Sequence, residues 1–117
     1  MNDLTIYHNP KCSKSRETLA LLQARGVEPR VIEYLKSPPA AAELRAMIGK
    51  LGIQAEQLVR KGEGIYKAKY AGKTLTEAQW IDAMVKNPIL IARPVVVRGA
   101  KAVIGRPPES VLALLDP

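Results

Sequence analysis

The sequence predicts an α/β fold on a four-stranded mixed sheet, in the order β1α1β2, a helical middle, then β3β4 and a last helix. Three observations carry that prediction. A strand-like run, a loop, a helical stripe and a second strand-like run follow one another within about 35 residues, which is a βαβ unit with parallel strands and a right-handed crossover. Residues 37–87 then read as helices separated by breaks. Two β-branched runs joined by Gly99-Ala100 read as a hairpin. The 117 residues, 47% of them apolar, suit a single domain, residues 1–117, with a helical insertion at about 37–87.

Each element has its own signal. Leu4-Thr5-Ile6-Tyr7 is β-branched and aromatic, the first strand. Residues 17–25 carry Leu19, Leu22 and Ala24, with Leu21 alongside, a helical stripe that Gly26 is suited to end. Val31-Ile32-Glu33-Tyr34-Leu35 is the second strand. Ser37 is expected to cap the next helix, with Pro38 at its first position. Leu44, Met47, Ile48 and Leu51 form one face of that helix, and Gly52 ends it. Residues 54–60 predict a short helix. Residues 61–73 are charged, contain glycine and lack a period, so loop and broken turn are expected. Thr76-Glu77-Ala78-Gln79 is a capping-box pattern opening a helix to about residue 86. Pro88 stops it, and Ile89-Leu90-Ile91 is an apolar connector. Residues 94–98 and 101–105 are strands three and four, with Pro94 tolerated at the first position. Arg106-Pro107-Pro108 leads into a last helix carrying Val111, Leu112, Leu114 and Leu115. This element order is that of the thioredoxin-like fold, with the middle helices inserted, and fold alone does not fix function.

The formal net charge is +7, from 18 Lys+Arg against 11 Asp+Glu. That permits nucleic acid, an anionic substrate or simply a basic surface. The basic residues form no arginine-rich tail, there is no phenylalanine, and only Trp80 and four tyrosines are available to stack on bases. A small anion or an acidic protein fits better than nucleic acid. One cysteine allows no internal disulfide. Residues 1–4 show no signal-peptide pattern, and no apolar run approaches the roughly 18 residues of a membrane span. A cytoplasmic protein with no membrane partner, no metal and no bound cofactor is expected.

The chemistry concentrates in Tyr7-His8-Asn9-Pro10-Lys11-Cys12-Ser13-Lys14-Ser15-Arg16, which holds the only cysteine and the only histidine. A cysteine between a strand and a helix sits where the first turn's unpaired N–H groups and the positive end of the helix dipole point. Both favour the thiolate, which is the nucleophilic form. Lys11, Lys14 and Arg16 add positive charge. A lone cysteine is more often a small buried hydrophobe, but Pro10, Lys11, Ser13, Lys14 and Ser15 are not core residues, so the loop is expected to be exposed and the thiol reactive. Ser15 takes the second place of a C-x-x-C pattern, so a resolving thiol has to come from another molecule.

The segment from Thr5 to Arg16 resembles the opening of the glutaredoxin-linked arsenate reductases of bacteria, the ArsC family. So do Leu58-Val59-Arg60-Lys61, the stretch from Asn87 to Val97, and Ile104-Gly105-Arg106-Pro107-Pro108-Glu109, in order and spacing over nearly the whole chain. The resemblance implies that Cys12 attacks the arsenic of arsenate, that glutathione joins the adduct as co-substrate, and that glutaredoxin resolves it as arsenite leaves. It also implies that Arg60, Arg93 and Arg106 cradle the oxyanion, and that His8 and Ser15 help keep the cysteine ionised. Arg93–Pro94 is implied to be a cis peptide facing the cysteine, although the residues alone favour trans. Guanidinium forks suit a tetrahedral oxyanion, and cations are needed where an anionic nucleophile meets an anionic substrate.

Plainer roles compete at each position. Arg60 near a helix end and Arg106 before the last helix are ordinary places for solvated charge. His8 at a strand end is commonly structural, and a protonated imidazole assists Cys12 only if its surroundings raise its pKa. Asn9 and Pro10 shape the loop, with Asn9 able to donate toward the sulfur. Two other functions stay open. One is a glutathione-dependent thiol reductase with little arsenate activity. The other is a non-enzymatic Spx-type regulator that binds RNA polymerase, whose members commonly carry the C-x-x-C switch missing here. The chain ends soon after its last helix, like the short members of the family and unlike those with a charged C-terminal extension.

Overall fold

The structure, a computed structural model, describes residues 4–92 and 94–115. The chain divides into two compact units, Met1–Ser37 with Arg93–Pro117, and Pro38–Ala92.

The first unit holds a four-stranded sheet in the order β2-β1-β3-β4. Its strands are β1 (Leu4–His8), β2 (Arg30–Glu33), β3 (Val95–Arg98) and β4 (Lys101–Ile104). β1 runs parallel to β2, with His8 opposite Glu33, and antiparallel to β3, with Ile6 opposite Val96. β3 and β4 form the expected hairpin, closed by the two residues between the Arg98–Lys101 pair. Gly99 takes φ +59°, which a two-residue hairpin turn requires and L side chains resist. Helix α1 (Ser13–Ala24) supplies the crossover. It ends in a Schellman motif: the N–H of Gly26, at φ +78°, donates to Gln23 and that of Val27 donates to Leu22. Leu4 and Ile6 of β1, Val96 of β3, Leu22 of α1, and Val111 and Leu114 from the C-terminal segment form one buried cluster.

Four boundaries depart from the sequence reading. α1 begins at Ser13, four residues before the expected start at residue 17, because the polar first turn of a helix carries no hydrophobic signal. β2 stops at Glu33, and the chain turns back on itself through the Lys36 and Ser37 amides, which both donate to the Glu33 carbonyl. Ser37 caps nothing. Helix α2 runs Ala41–Leu51 with Ala40 before it, since Pro39 drives Pro38 away from helical backbone angles. The last element is a 3-10 helix, Pro108–Leu114, whose buried residues Pro108, Val111 and Leu114 recur every third position, the period of that helix.

The second unit carries α2, α3 (Ala55–Leu58), α4 (Gly64–Lys69) and α5 (Glu77–Lys86), then a 3-10 turn at Pro88–Leu90. The Thr76 capping box is formed, with the Thr76 hydroxyl accepting from Gln79 N–H and the Gln79 side chain accepting from Thr76 N–H. Gln54 and Gln57 make a second such box at α3. Residues 61–73 are not all loop. α4 forms within them without burying a single residue, and Tyr66 stacks on Trp80 at 6.2 Å between ring centroids. A helix anchored by one ring leaves no apolar period to read. Leu44, Met47, Leu58, Trp80, Ile81 and Met84 are buried in this unit.

Candidate active site

The chain leaves β1 at His8 and re-enters regular structure at Cys12, the N-cap of α1, whose backbone is extended (φ −97°, ψ 124°). Every residue between is tied down. The Asn9 carbonyl accepts from Cys12 N–H, and its Oδ1 accepts from Lys11 N–H, each at 3.0 Å, a turn closed by an asparagine side chain. Arg16 Nη1 reaches back over the loop to the Pro10 carbonyl at 2.9 Å. The Cys12 carbonyl accepts the first helical bond from Arg16 N–H at 3.0 Å. The Cys12 side chain is half-buried and does not cap the helix, so the sulfur stands at the dipole's positive end with no acidic residue in the first turn.

Behind this loop lies a buried polar pair. Ser15, fully buried in the first turn of α1, accepts from Asn9 N–H at 3.0 Å and lies 2.6 Å from His8 Nδ1. Burial pushes the His8 pKa below its ordinary 6.5; nearby Glu33 opposes that shift and Arg16 adds to it. Burial therefore favours the neutral imidazole. Assistance to Cys12 by a protonated His8 calls for the opposite shift. A neutral ring instead holds the Ser15 hydroxyl and, through it, the Asn9 amide.

Arg106 comes to the sulfur from the other end of the unit. Its Nη2 donates to Cys12 Sγ at 3.7 Å, while the side chain stays exposed. Gly105 sets its approach. A Cβ on Gly105 would lie 2.7 Å from Thr18 Oγ1 and 2.9 Å from Pro94 Cγ, so only glycine fits. Gly105 N–H also donates to the Pro94 carbonyl at 2.8 Å. Pro94 is buried beside β3, and Thr18 Oγ1 donates to the Lys14 carbonyl at 2.8 Å. Arg106–Pro107 is a cis peptide bond.

The structure thus gathers His8, Asn9, Cys12, Ser15 and Arg106, with Pro94 behind Gly105, in the first unit. Arg93, and with it the Arg93–Pro94 bond, lies outside the described residues. Arg60 follows α3 in the second unit. Its N–H donates to the Leu90 carbonyl at 2.7 Å, and its guanidinium lies 3.5 Å from the Glu63 carboxylate. Two contributors escaped the sequence reading. Arg16, which in sequence is only one more charge, clasps the loop. Thr18 stands one helical turn before Leu22, on the buried side of α1, and that spacing was the available signal. Among the described residues no group of His, Cys, Asp or Glu is placed to hold a metal ion, and no helix is long and apolar enough to cross a membrane.

The comparisons with known proteins converge. The model of the ArsC family matches residues 7–114. The chain is 53% identical over 112 residues to the uncharacterized protein YfgD of Escherichia coli strain K12, covering 94% of each. It is 44% identical over 113 residues to an arsenate reductase of Rhizobium meliloti, covering 96% of this chain and 81% of that one. The solved structure of an arsenate reductase from Vibrio cholerae superposes with a TM-score of 0.91 at 46% identity, over 94% of this chain and 95% of that one. A thioredoxin-like sheet, a cysteine at the mouth of its first helix and relatives matched nearly end to end make this chain a member of the ArsC family.

Proposed function

We propose that this protein is a cytoplasmic arsenate reductase that works through Cys12 with glutathione as co-substrate and glutaredoxin as the final reductant. The observation that carries the reading is the 3.7 Å approach of Arg106 to a cysteine sulfur at a helix N-terminus. Relatives bearing the name arsenate reductase supply the substrate class.

In this reading the Cys12 thiolate attacks the arsenic of arsenate. A sulfur–arsenic bond forms, and one oxygen leaves as water after protonation. Glutathione replaces a second oxygen in the same way, and the arsenic remains As(V). Glutaredoxin's thiolate then attacks the glutathione sulfur. The electrons of that sulfur–arsenic bond stay on arsenic, which becomes As(III), and the glutaredoxin–glutathione disulfide departs. Hydroxide displaces Cys12 and arsenite leaves. Arg106 offsets charge at the first step, because an anionic nucleophile and an anionic substrate repel each other without a cation between them. Arg60 and Arg93 are proposed as further oxyanion ligands on the strength of the family motifs. His8, Ser15 and Asn9 are proposed to hold the cysteine loop in its attacking shape.

The test is turnover of arsenate by wild type and Cys12→Ala with glutathione and glutaredoxin. Wild-type turnover abolished in the variant is expected, and equal turnover removes Cys12 as nucleophile. A glutathione mixed disulfide offered in parallel separates this reading from a general thiol reductase.

A further inference from the structure

We infer that a cavity between the cysteine loop and the end of β2 receives an apolar side chain of an acidic protein thiol, and so docks the reductant beside Cys12. The inference rests on the reductase reading above.

The cavity has a volume of about 170 Å³ and is lined by His8, Asn9, Pro10, Lys11, Glu33, Leu35 and Lys36. Almost all the surface it presents is apolar. That volume suits one aliphatic or aromatic side chain. A small, highly polar thiol such as glutathione would be poorly matched to such walls, because its charged ends would lose water without gaining partners. Asn9, Pro10 and Lys11 are the three residues before Cys12, and consecutive Cα atoms are only about 3.8 Å apart. The cavity wall therefore runs directly into the Cys12 backbone.

The surroundings extend the match. Val31, Leu35 and Ile89 are the large hydrophobic residues exposed among the described residues, and two of the three belong here. Val31, 43% exposed, shares a face of β2 with Glu33, and Leu35, 39% exposed, forms part of the cavity wall. β2 is an edge strand, so this side of the sheet has no neighbouring strand. The rim is cationic. Lys11 and Lys36 are exposed, and the Glu33 carboxylate lies 3.4 Å from Lys36 Nζ, which offsets the one acidic group. With a net charge of +7, the chain favours a partner of opposite sign, and charge of this kind acts chiefly on the rate of encounter.

The experiment separates docking from arsenate chemistry. Cys12 is converted by Ellman's reagent to its mixed disulfide with thionitrobenzoate. An incoming thiolate then attacks the Cys12 sulfur, and thionitrobenzoate leaves and is read by absorbance. A glutaredoxin of net negative charge is compared with glutathione as the incoming thiol, using wild type, Leu35→Asp and Lys36→Glu. Both variants are expected to slow glutaredoxin about tenfold, with glutathione unaffected and the wild-type glutaredoxin rate falling as salt is raised. Circular dichroism melts identify a variant that fails to fold, and Leu35→Ala then serves in its place, with a smaller loss expected. Equal glutaredoxin rates in wild type and variants overturn the proposal, as does a loss shared by glutathione. A dimer in light scattering that Leu35→Asp dissolves also overturns it, by assigning this face to a second copy. Because no arsenate is present, failure of the reductase reading shows separately, as absence of wild-type arsenate turnover.

Discussion

Arg106 and Cys12 are 94 residues apart in sequence, and a guanidinium nitrogen of one lies 3.7 Å from the sulfur of the other. The pairing joins the two ends of the sheet-bearing unit at one point. It also gives the thiol a cation that does not depend on substrate.

The first prediction concerns that cation. Arg106→Ala is expected to lower the rate of Cys12 alkylation by iodoacetamide at pH 7 by about threefold to tenfold. The pH profile should move upward, because thiolate is the reacting form. The estimate is modest because Arg106 is exposed and solvent screens the pair. Arg106→Lys should recover part of the rate, since charge returns while the guanidinium fork does not. An unchanged profile in Arg106→Ala would show that the helix terminus alone sets the thiol's ionisation.

Arg60 is predicted to behave differently. Its proposed role is to bind the oxyanion rather than ionise the thiol. Arg60→Lys should raise KM for arsenate by about tenfold, as loss of a bidentate contact does, with the alkylation rate at its wild-type value. The Glu63 carboxylate, 3.5 Å from the guanidinium, gives the new ammonium a partner, so stability should change little. Steady-state kinetics beside alkylation separates the two arginines, and a KM unmoved by the substitution removes Arg60 from the binding set.

The His8–Ser15 contact carries a pH dependence. Burial lowers the His8 pKa below 6.5, so the unfolded chain takes up the proton first as pH falls. Stability from this group is full above about pH 6.5 and is lost as pH drops below that toward the folded value. Urea midpoints should therefore fall from pH 7 to pH 5.5 by more in wild type than in His8→Asn, which has no such proton to bind. Ser15→Ala, which strands the buried Asn9 amide and the ring nitrogen, should cost about 1–3 kcal/mol at pH 7. A wild-type pH slope matched by His8→Asn would place the linkage elsewhere.

The sheet, the crossover helix and the hairpin were legible because strands alternate and turns need particular residues. Gly99 and the Thr76 box announced themselves by chemistry. The cysteine loop was legible for the same reason, since so many polar residues between a strand and a helix leave few other shapes. What stayed hidden depended on partners distant in sequence. Arg106 reaches Cys12 only once β3, β4 and α1 share one core, and apart from the family motif around it no charge or hydrophobic pattern distinguishes it from a surface charge. The sign of the His8 shift was also hidden, because it follows from burial that a strand-end histidine does not advertise. α4 escaped because a stacked ring holds it, and the last helix was read without its tighter winding.

The same dependence on distant partners makes Gly105 the position where a small change should travel farthest. It has no side chain and touches no reacting atom, yet it lies between Thr18 of α1 and Pro94 before β3, immediately ahead of Arg106. In Gly105→Ala the new methyl would meet Thr18 Oγ1 at 2.7 Å and Pro94 Cγ at 2.9 Å, and neither a buried threonine nor a ring carbon can yield easily. Overpacking of this kind costs about 1–3 kcal/mol. Relief by backbone movement would carry Arg106 away from the sulfur, so the alkylation rate should fall along with the urea midpoint. Adding Thr18→Ala removes the nearer clash, and the double variant should regain part of both losses beyond what the two single variants predict by addition. If the melt drops while alkylation holds at the wild-type rate, Gly105 serves packing alone and Arg106 is positioned by other contacts.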